Sequence, residues 1–244
     1  MTTCILFDLD GTLLDTPRGI VQVLRDVITE SGRPLPPEEA MRATVGRPLA
    51  AVFSTLLDLP EDHADTVHAV ERFRVVFRES VVPGARDLVF PGVPDLLERL
   101  RERGHPLAVV TSKIQASAEE ILRPAGLRDA FGAVICHGMA SRGKPHPDLA
   151  LLAAERLGSD PAACVVVGDA VDDMRMARSA GMAAVGVTYG VATHAQLADA
   201  GAHHVTDSVD GLEAVLGTFP VKEGPVRPHA GATAGRPVTE GPTT

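Results

Sequence analysis

The sequence predicts an α/β protein: a Rossmann-like parallel sheet core with an all-helical segment inserted after the first strand. Three observations carry this. Six short runs read as strands, and most are rich in Val and Ile and apolar on both faces, as strands covered by helices on both sides must be. Segments with helical periodicity alternate with them, which selects parallel strands. Between the first and second runs, from Asp8 to Leu107, the apolar pattern is helical throughout.

The first run, "CILFD" (4–8), ends in an acid. Then come "RGIVQVLRDVITESG" (18–32), "PEEAMRATVG" (37–46), "LAAVFSTLLDL" (49–59) and "ADTVHAVERFRVVFRES" (64–80), all of helical period and punctuated by Pro34, Pro36, Pro37, Pro48 and Pro60. Residues 16–85 are therefore expected to form the helical insert, with a hinge at Pro83-Gly84, and residues 1–15 and 86–216 the core. The remaining strands are expected in "LAVVTS" (107–112), "AVICHG" (133–138), "ACVVVGD" (163–169), "AAVGVT" (183–188) and "HHVTD" (203–207). Core helices are expected over 93–104, 117–126, 147–158 and 172–181, stopped by Gly104, Gly126, Gly158 and Gly181. Residues 217–244, rich in Pro, Gly, Thr and Ala, are expected to be a disordered tail.

Composition narrows the function. A formal charge of −9, no Trp and one Tyr argue against a nucleic-acid partner, which needs basic residues and stacking rings. No stretch approaches the roughly 20 apolar residues of a membrane span, and the N-terminus lacks a signal-peptide pattern. Cys4, Cys136 and Cys164 lie in or beside strand-like runs and are expected as small buried hydrophobes. The expected location is cytoplasmic.

Open α/β sheets bind ligands at the carboxyl ends of their strands. Those ends carry Asp8 and Asp10, then Thr111, Ser112 and Lys113, then Gly168, Asp169, Asp172 and Asp173, with Lys144 in the loop after the third strand. Asp8, Asp10 and Asp169 sharing one small volume require a proton or a cation, and hard oxygen donors select Mg²⁺. Thr111, Ser112 and Lys144 suit an anion with several oxygens, such as phosphate. Lys144 is one of only three lysines, beside Lys113 and Lys222, in a chain with twenty arginines, so its compact charge has a purpose there. One aspartate attacking phosphorus and a second transferring protons would hydrolyse a phosphomonoester. Asp15 reads as a turn or capping residue, and His137, His203 and His204 as ordinary strand-end histidines.

"DLDGT" (8–12), "VVTS" (109–112), "GKPHPD" (143–148) and "GDAVDD" (168–173) stand in this order at strand ends. In these four motifs, over about 1–216, the chain resembles the haloacid dehalogenase superfamily of phosphatases. "TVGRPL" (44–49) and "FPGVPDLLERLRERGHPLAVVTSK" (90–113) are similar to its phosphoglycolate-phosphatase-like branch, in which the helical insert is a cap. The resemblance implies Asp8 as nucleophile and Asp10 as acid and base. It implies Mg²⁺ on the Asp8 carboxylate, the Asp10 carbonyl and Asp169, with Asp173 in support. It further implies Thr111, Ser112 and Lys144 around the phosphoryl group, and Gly46 and Arg47 facing the substrate from the cap. The expected partner is a small phosphorylated metabolite, with the chain acting as a monomer or homodimer.

Other readings fit less well. "GMASRGK" (138–144) has P-loop spacing, but Pro145 stands where a Mg²⁺-binding hydroxyl belongs. A dehalogenase needs neither Asp10 nor Asp169. A phosphonoacetaldehyde-type hydrolase needs a cap lysine, and no Lys precedes Lys113. A β-phosphoglucomutase-like mutase would share the same core residues and remains open. A phospho-accepting receiver-type signalling module would have no helical insert after its first strand.

Overall fold

The computed structural model describes residues 2–220. Its strands are β1 (Cys4–Phe7), β2 (Leu107–Thr111), β3 (Ala133–Cys136), β4 (Cys164–Gly168), β5 (Ala183–Val187) and β6 (His204–Thr206). They form one parallel sheet in the order β3-β2-β1-β4-β5-β6. The order reverses between β1 and β4, the point at which such sheets open a crevice for ligands.

The pleat sends alternate residues of β1 to opposite faces. Ile5 and Phe7 join one apolar cluster and Cys4 and Leu6 the other. The first cluster takes in α5 (Val93–Glu102), α6 (Gln115–Leu122) and α10 (Val209–Leu216). The second takes in α7 (Asp148–Arg156), α8 (Val171–Ser179) and α9 (His194–Asp199). Backbone at Gly104, Gly126, Gly158 and Gly181 has positive φ, as expected for helix stops. Short α9 and α10 carry too few turns to stand out by period, yet Thr193 and Ser208 cap them. Cys4, Cys136 and Cys164 are buried and unpaired. No helix among the described residues is long and apolar enough to cross a membrane.

Between β1 and α5 lie the cap helices α1 (Pro17–Glu30), α2 (Glu38–Arg42), α3 (Leu49–Leu57) and α4 (Ala64–Ser80). Helix α4 packs on both α1 and α3. Phe53, Phe73 and Phe77 form its ring core, with Phe53 edge-on to Phe73 at 6.1 Å. Pro83-Gly84, expected as a hinge, lies in a 3-10 turn, Val82–Gly84. The chain segments that leave and re-enter the core are paired beyond it. Asp15 N donates to Leu88 O (2.7 Å) and Phe90 N to Leu13 O (3.2 Å).

At the C-terminal end, residues 217–220 are docked rather than part of a tail. Thr3 donates to Pro220 O from both its backbone N–H and its hydroxyl, each at 3.0 Å, and Phe219 packs on the core. This long-range pairing leaves no mark on local composition. The rest of the expected tail, 221–244, lies outside the described residues.

Phe53 is fully buried, so Phe53→Ala is expected to lower unfolding stability by about 3–5 kcal/mol. Urea titration measures this; a loss below about 1 kcal/mol would mean that the cap core does not hold its helices together.

Candidate active site

Asp8 directly follows β1 and Asp169 directly follows β4, so the two flank the switch point. Asp173 stands in the first turn of α8 and turns back toward them. One carboxylate oxygen from each of Asp8, Asp169 and Asp173 falls within a cluster spanning 4.8 Å. All three side chains are buried. Lys144, 3% exposed in its side chain, donates to Asp8 Oδ1 and, at 2.6 Å, to Asp173 Oδ1. Asp173 Oδ2 accepts from Ala170 N at 3.1 Å, which fixes the start of α8 to the same group.

Among the described residues Asp169 has no cationic partner. Its Oδ1 accepts from Thr12 Oγ1 and its Oδ2 from Val191 N, both at 2.9 Å. Two glycines make room for it. A Cβ on Gly11, whose φ is +82°, would stand 2.2 Å from Asp169 Oδ2, and one on Gly190 would stand 2.1 Å from the same oxygen. The tight turn of "DLDGT" is therefore shaped around this carboxylate.

Burial pushes Asp8 up to about 7, against the pull of Lys144; the charges of Asp173 and Asp10 add to the rise. Asp169 is also raised well above the usual carboxylate range, first by burial and then by Asp8 and Asp173. Burial alone would lower Lys144, but Asp173 and Asp8 outweigh it and hold the ammonium charged. Three acids facing one ammonium leave a local excess of negative charge. Hard oxygen donors with uncompensated charge fit a small divalent cation such as Mg²⁺.

The Asp10 carboxylate has a different setting. Its Oδ1 accepts from Thr16 Oγ1 at 2.5 Å and its Oδ2 lies 3.3 Å from Lys113 Nζ. Lys113 Nζ also sits 4.5 Å from the ring centroid of Phe77 on α4, a cation–π contact from core to cap. Thr16 opens α1 but spends its hydroxyl on Asp10, not on the helix end. Asp15, expected as a turn or cap, is exposed and contributes its backbone N–H to Leu88.

Two cavities meet at Asp8. The smaller, of about 150 Å³, runs under the cap and is lined by Asp8, Asp10, Thr111, Ser112, Gly46 and Arg47 among others. The larger, of about 540 Å³, is lined by Asp8, Lys144, Asp173, Gly46 and Arg47. Gly46, at φ +90°, comes so close to the core that an added Cβ would lie 3.7 Å from Ala170 Cβ. The fold thus brings the sequence-predicted residues to one place, with Asp169 behind the others. Sequence reading assigned no role to Thr12, Thr16, Lys113 or Tyr189. Thr12 sits inside a motif and Lys113 is scarce, which are usable signals. Tyr189, the one tyrosine, donates to Thr12 O at 3.2 Å. His203 is an ordinary strand-end residue, its Nδ1 accepting from Ala184 N at 2.9 Å. His137 lines the smaller cavity instead.

The sequence pattern of the haloacid dehalogenase-like hydrolases matches residues 2–181. A protein of Dickeya dadantii named probable phosphatase IndB is 44% identical over 208 residues, covering 85% of this chain and 90% of its own. A plasmid-encoded phosphoglycolate phosphatase of Cupriavidus necator is 32% identical over 216 residues, covering 88% and 93%. The crystal structure of a hydrolase from Pseudomonas syringae superposes with a TM-score of 0.79 at 25% identity, covering 90% of this chain and 100% of its own.

A carboxyl with a raised folded-state pKa binds its proton more tightly when folded. It therefore destabilises the fold progressively as pH rises from the unfolded-state value toward the folded one. With a chelator present, the melting temperature is expected to fall as pH rises from about 5 to 8, and Asp169→Asn to fall less steeply. Parallel curves by calorimetry would show that Asp169 carries no such burden.

Proposed function

From its place in the haloacid dehalogenase-like hydrolase family, to which the chain belongs, we propose that this phosphoric monoester hydrolase cleaves a small phosphorylated metabolite through an aspartyl-phosphate on Asp8. The observation that carries the proposal is the meeting of Asp8, Asp169, Asp173 and Lys144 at the sheet's switch point. Phosphoglycolate, named for the Cupriavidus relative, is the first substrate to try.

Asp8 forms the bond to phosphorus while the bond to the alcohol oxygen breaks. Asp10, held by Thr16 and Lys113, gives its proton to that oxygen. It then takes a proton from the water that attacks the aspartyl-phosphate, releasing phosphate and restoring Asp8. Lys144, Thr111 and Ser112 orient the phosphoryl oxygens and balance their charge. Asp8 and Asp169, with the Asp10 main-chain carbonyl and with Asp173 alongside, would hold Mg²⁺, which when bound supplies further charge neutralisation at phosphorus. Gly46 and Arg47 face the substrate from the cap. The different surroundings of Asp8 and Asp10 support giving them different tasks.

A panel of phosphomonoesters assayed with Mg²⁺ and with EDTA tests the proposal. Phosphate release with Mg²⁺, its loss in EDTA, and a fall of at least about 10³-fold in kcat for Asp8→Asn are expected. Near-normal turnover by Asp8→Asn would exclude the covalent route. Interconversion of sugar phosphates with little free phosphate would identify a mutase.

A further inference from the structure

We propose that Tyr189 is a positioning residue for the cation site: its hydroxyl ties the turn after β1 to the loop after β5, and these two segments together hold Asp169 in place as a Mg²⁺ ligand. The proposal rests on the Mg²⁺ reading above. Tyr189 is the one tyrosine of a chain without Trp. It stands two residues beyond β5, and its hydroxyl donates to the main-chain carbonyl of Thr12 at 3.2 Å. Burial, and after it the charge of Asp169, push the phenol up, so the hydroxyl keeps its proton and remains a donor.

Asp169 is gripped from both of the segments that this bond joins. From the turn after β1, Thr12 Oγ1 donates to its Oδ1 at 2.9 Å. From the loop after β5, Val191 N donates to its Oδ2 at 2.9 Å and Ala192 N to its main-chain carbonyl at 3.0 Å. Each carboxylate oxygen accepts one of these bonds and keeps a lone pair for a cation. The aim of that lone pair depends on the spacing of the two segments, which the Tyr189 hydroxyl sets by bonding one directly to the other.

The ring is fixed as well. It meets the ring of Phe90 at 4.7 Å between centroids, tilted by 60°. Phe90 belongs to the segment that re-enters the core from the cap, and its N–H donates to Leu13 O at 3.2 Å. Two successive carbonyls, of Thr12 and Leu13, are thus held by two residues whose rings touch each other. Tyr189 lines neither of the cavities that meet at Asp8, so it acts through Thr12 rather than on the substrate. Hydrogen-bonded groups behind a ligating carboxylate set its orientation, and their loss weakens metal binding.

The test uses the full-length protein, stripped of metal, with Mg²⁺ as the probe. Because the chain has one Tyr and no Trp, tyrosine emission comes from Tyr189 alone. Calorimetric titration gives the Kd for Mg²⁺, and tyrosine emission followed over the same titration is expected to change with the same midpoint. Tyr189→Phe, which keeps a ring against Phe90, is expected to weaken Mg²⁺ binding by roughly tenfold. Its melting temperature in EDTA is expected to move little, while the rise on adding Mg²⁺ shrinks. Added to Thr12→Val, the same substitution is expected to cost less than it does alone, because the tie acts through Thr12. Unchanged Mg²⁺ affinity in Tyr189→Phe, or tyrosine emission indifferent to saturating Mg²⁺, would overturn the assignment. So would a lower melting temperature in EDTA with the Mg²⁺-induced rise intact, the mark of a merely structural role. A wild type that takes up no Mg²⁺ by calorimetry would instead overturn the metal reading itself, and this one with it.

Discussion

Three buried carboxylates have to share one small space, and the carboxyl end of the sheet is organised around that constraint. Like charges at such separations repel strongly in a medium of low polarisability. The fold answers with one ammonium, one hydroxyl and two backbone N–H groups. Lys144 ties Asp8 to Asp173, and Thr12 and Val191 hold Asp169. The loop after β3 and the first turn of α8 are thereby fixed to the end of β1, although they are far apart in sequence. Burial first, and the charges of neighbouring acids after it, raise Asp8 and Asp169 despite these contacts.

The two acids of "DLDGT" illustrate how a two-residue separation makes two environments. Asp8 faces the buried cluster. Asp10 faces the start of α1 and the end of β2, where Thr16 and Lys113 receive it. Lys113 also touches the ring of Phe77, so the group that holds Asp10 is itself in contact with the cap. A shift of α4 would be felt at Asp10 before it was felt at Asp8.

Much of this was readable along the chain. Strands buried on both faces announce themselves by continuous apolar runs, and glycine stops mark helix ends. The four motifs are local, so their residues could be named without knowing the sheet order. What stayed hidden is what depends on distant partners. Nothing near Pro220 reveals that its carbonyl accepts from Thr3. Tyr189 and Thr16 likewise acquire their partners only when strand ends and the cap linker come together. Short α9 and α10 escape periodicity because a single turn or two cannot establish one.

The cap helices leave the core and return to it through segments that bond to each other, Asp15 to Leu88 and Phe90 to Leu13. Seen from the sheet, everything between these contacts closes like a loop whose two ends already touch. The conformational entropy of closing such a loop grows only slowly with its length. An insert of another size or shape meeting the same pair of crossings would leave the strand register and the carboxylate cluster where they are. Evolution can therefore exchange what lies over the cleft while inheriting the chemistry beneath it unchanged, so kinship of the core predicts the reaction better than it predicts the metabolite.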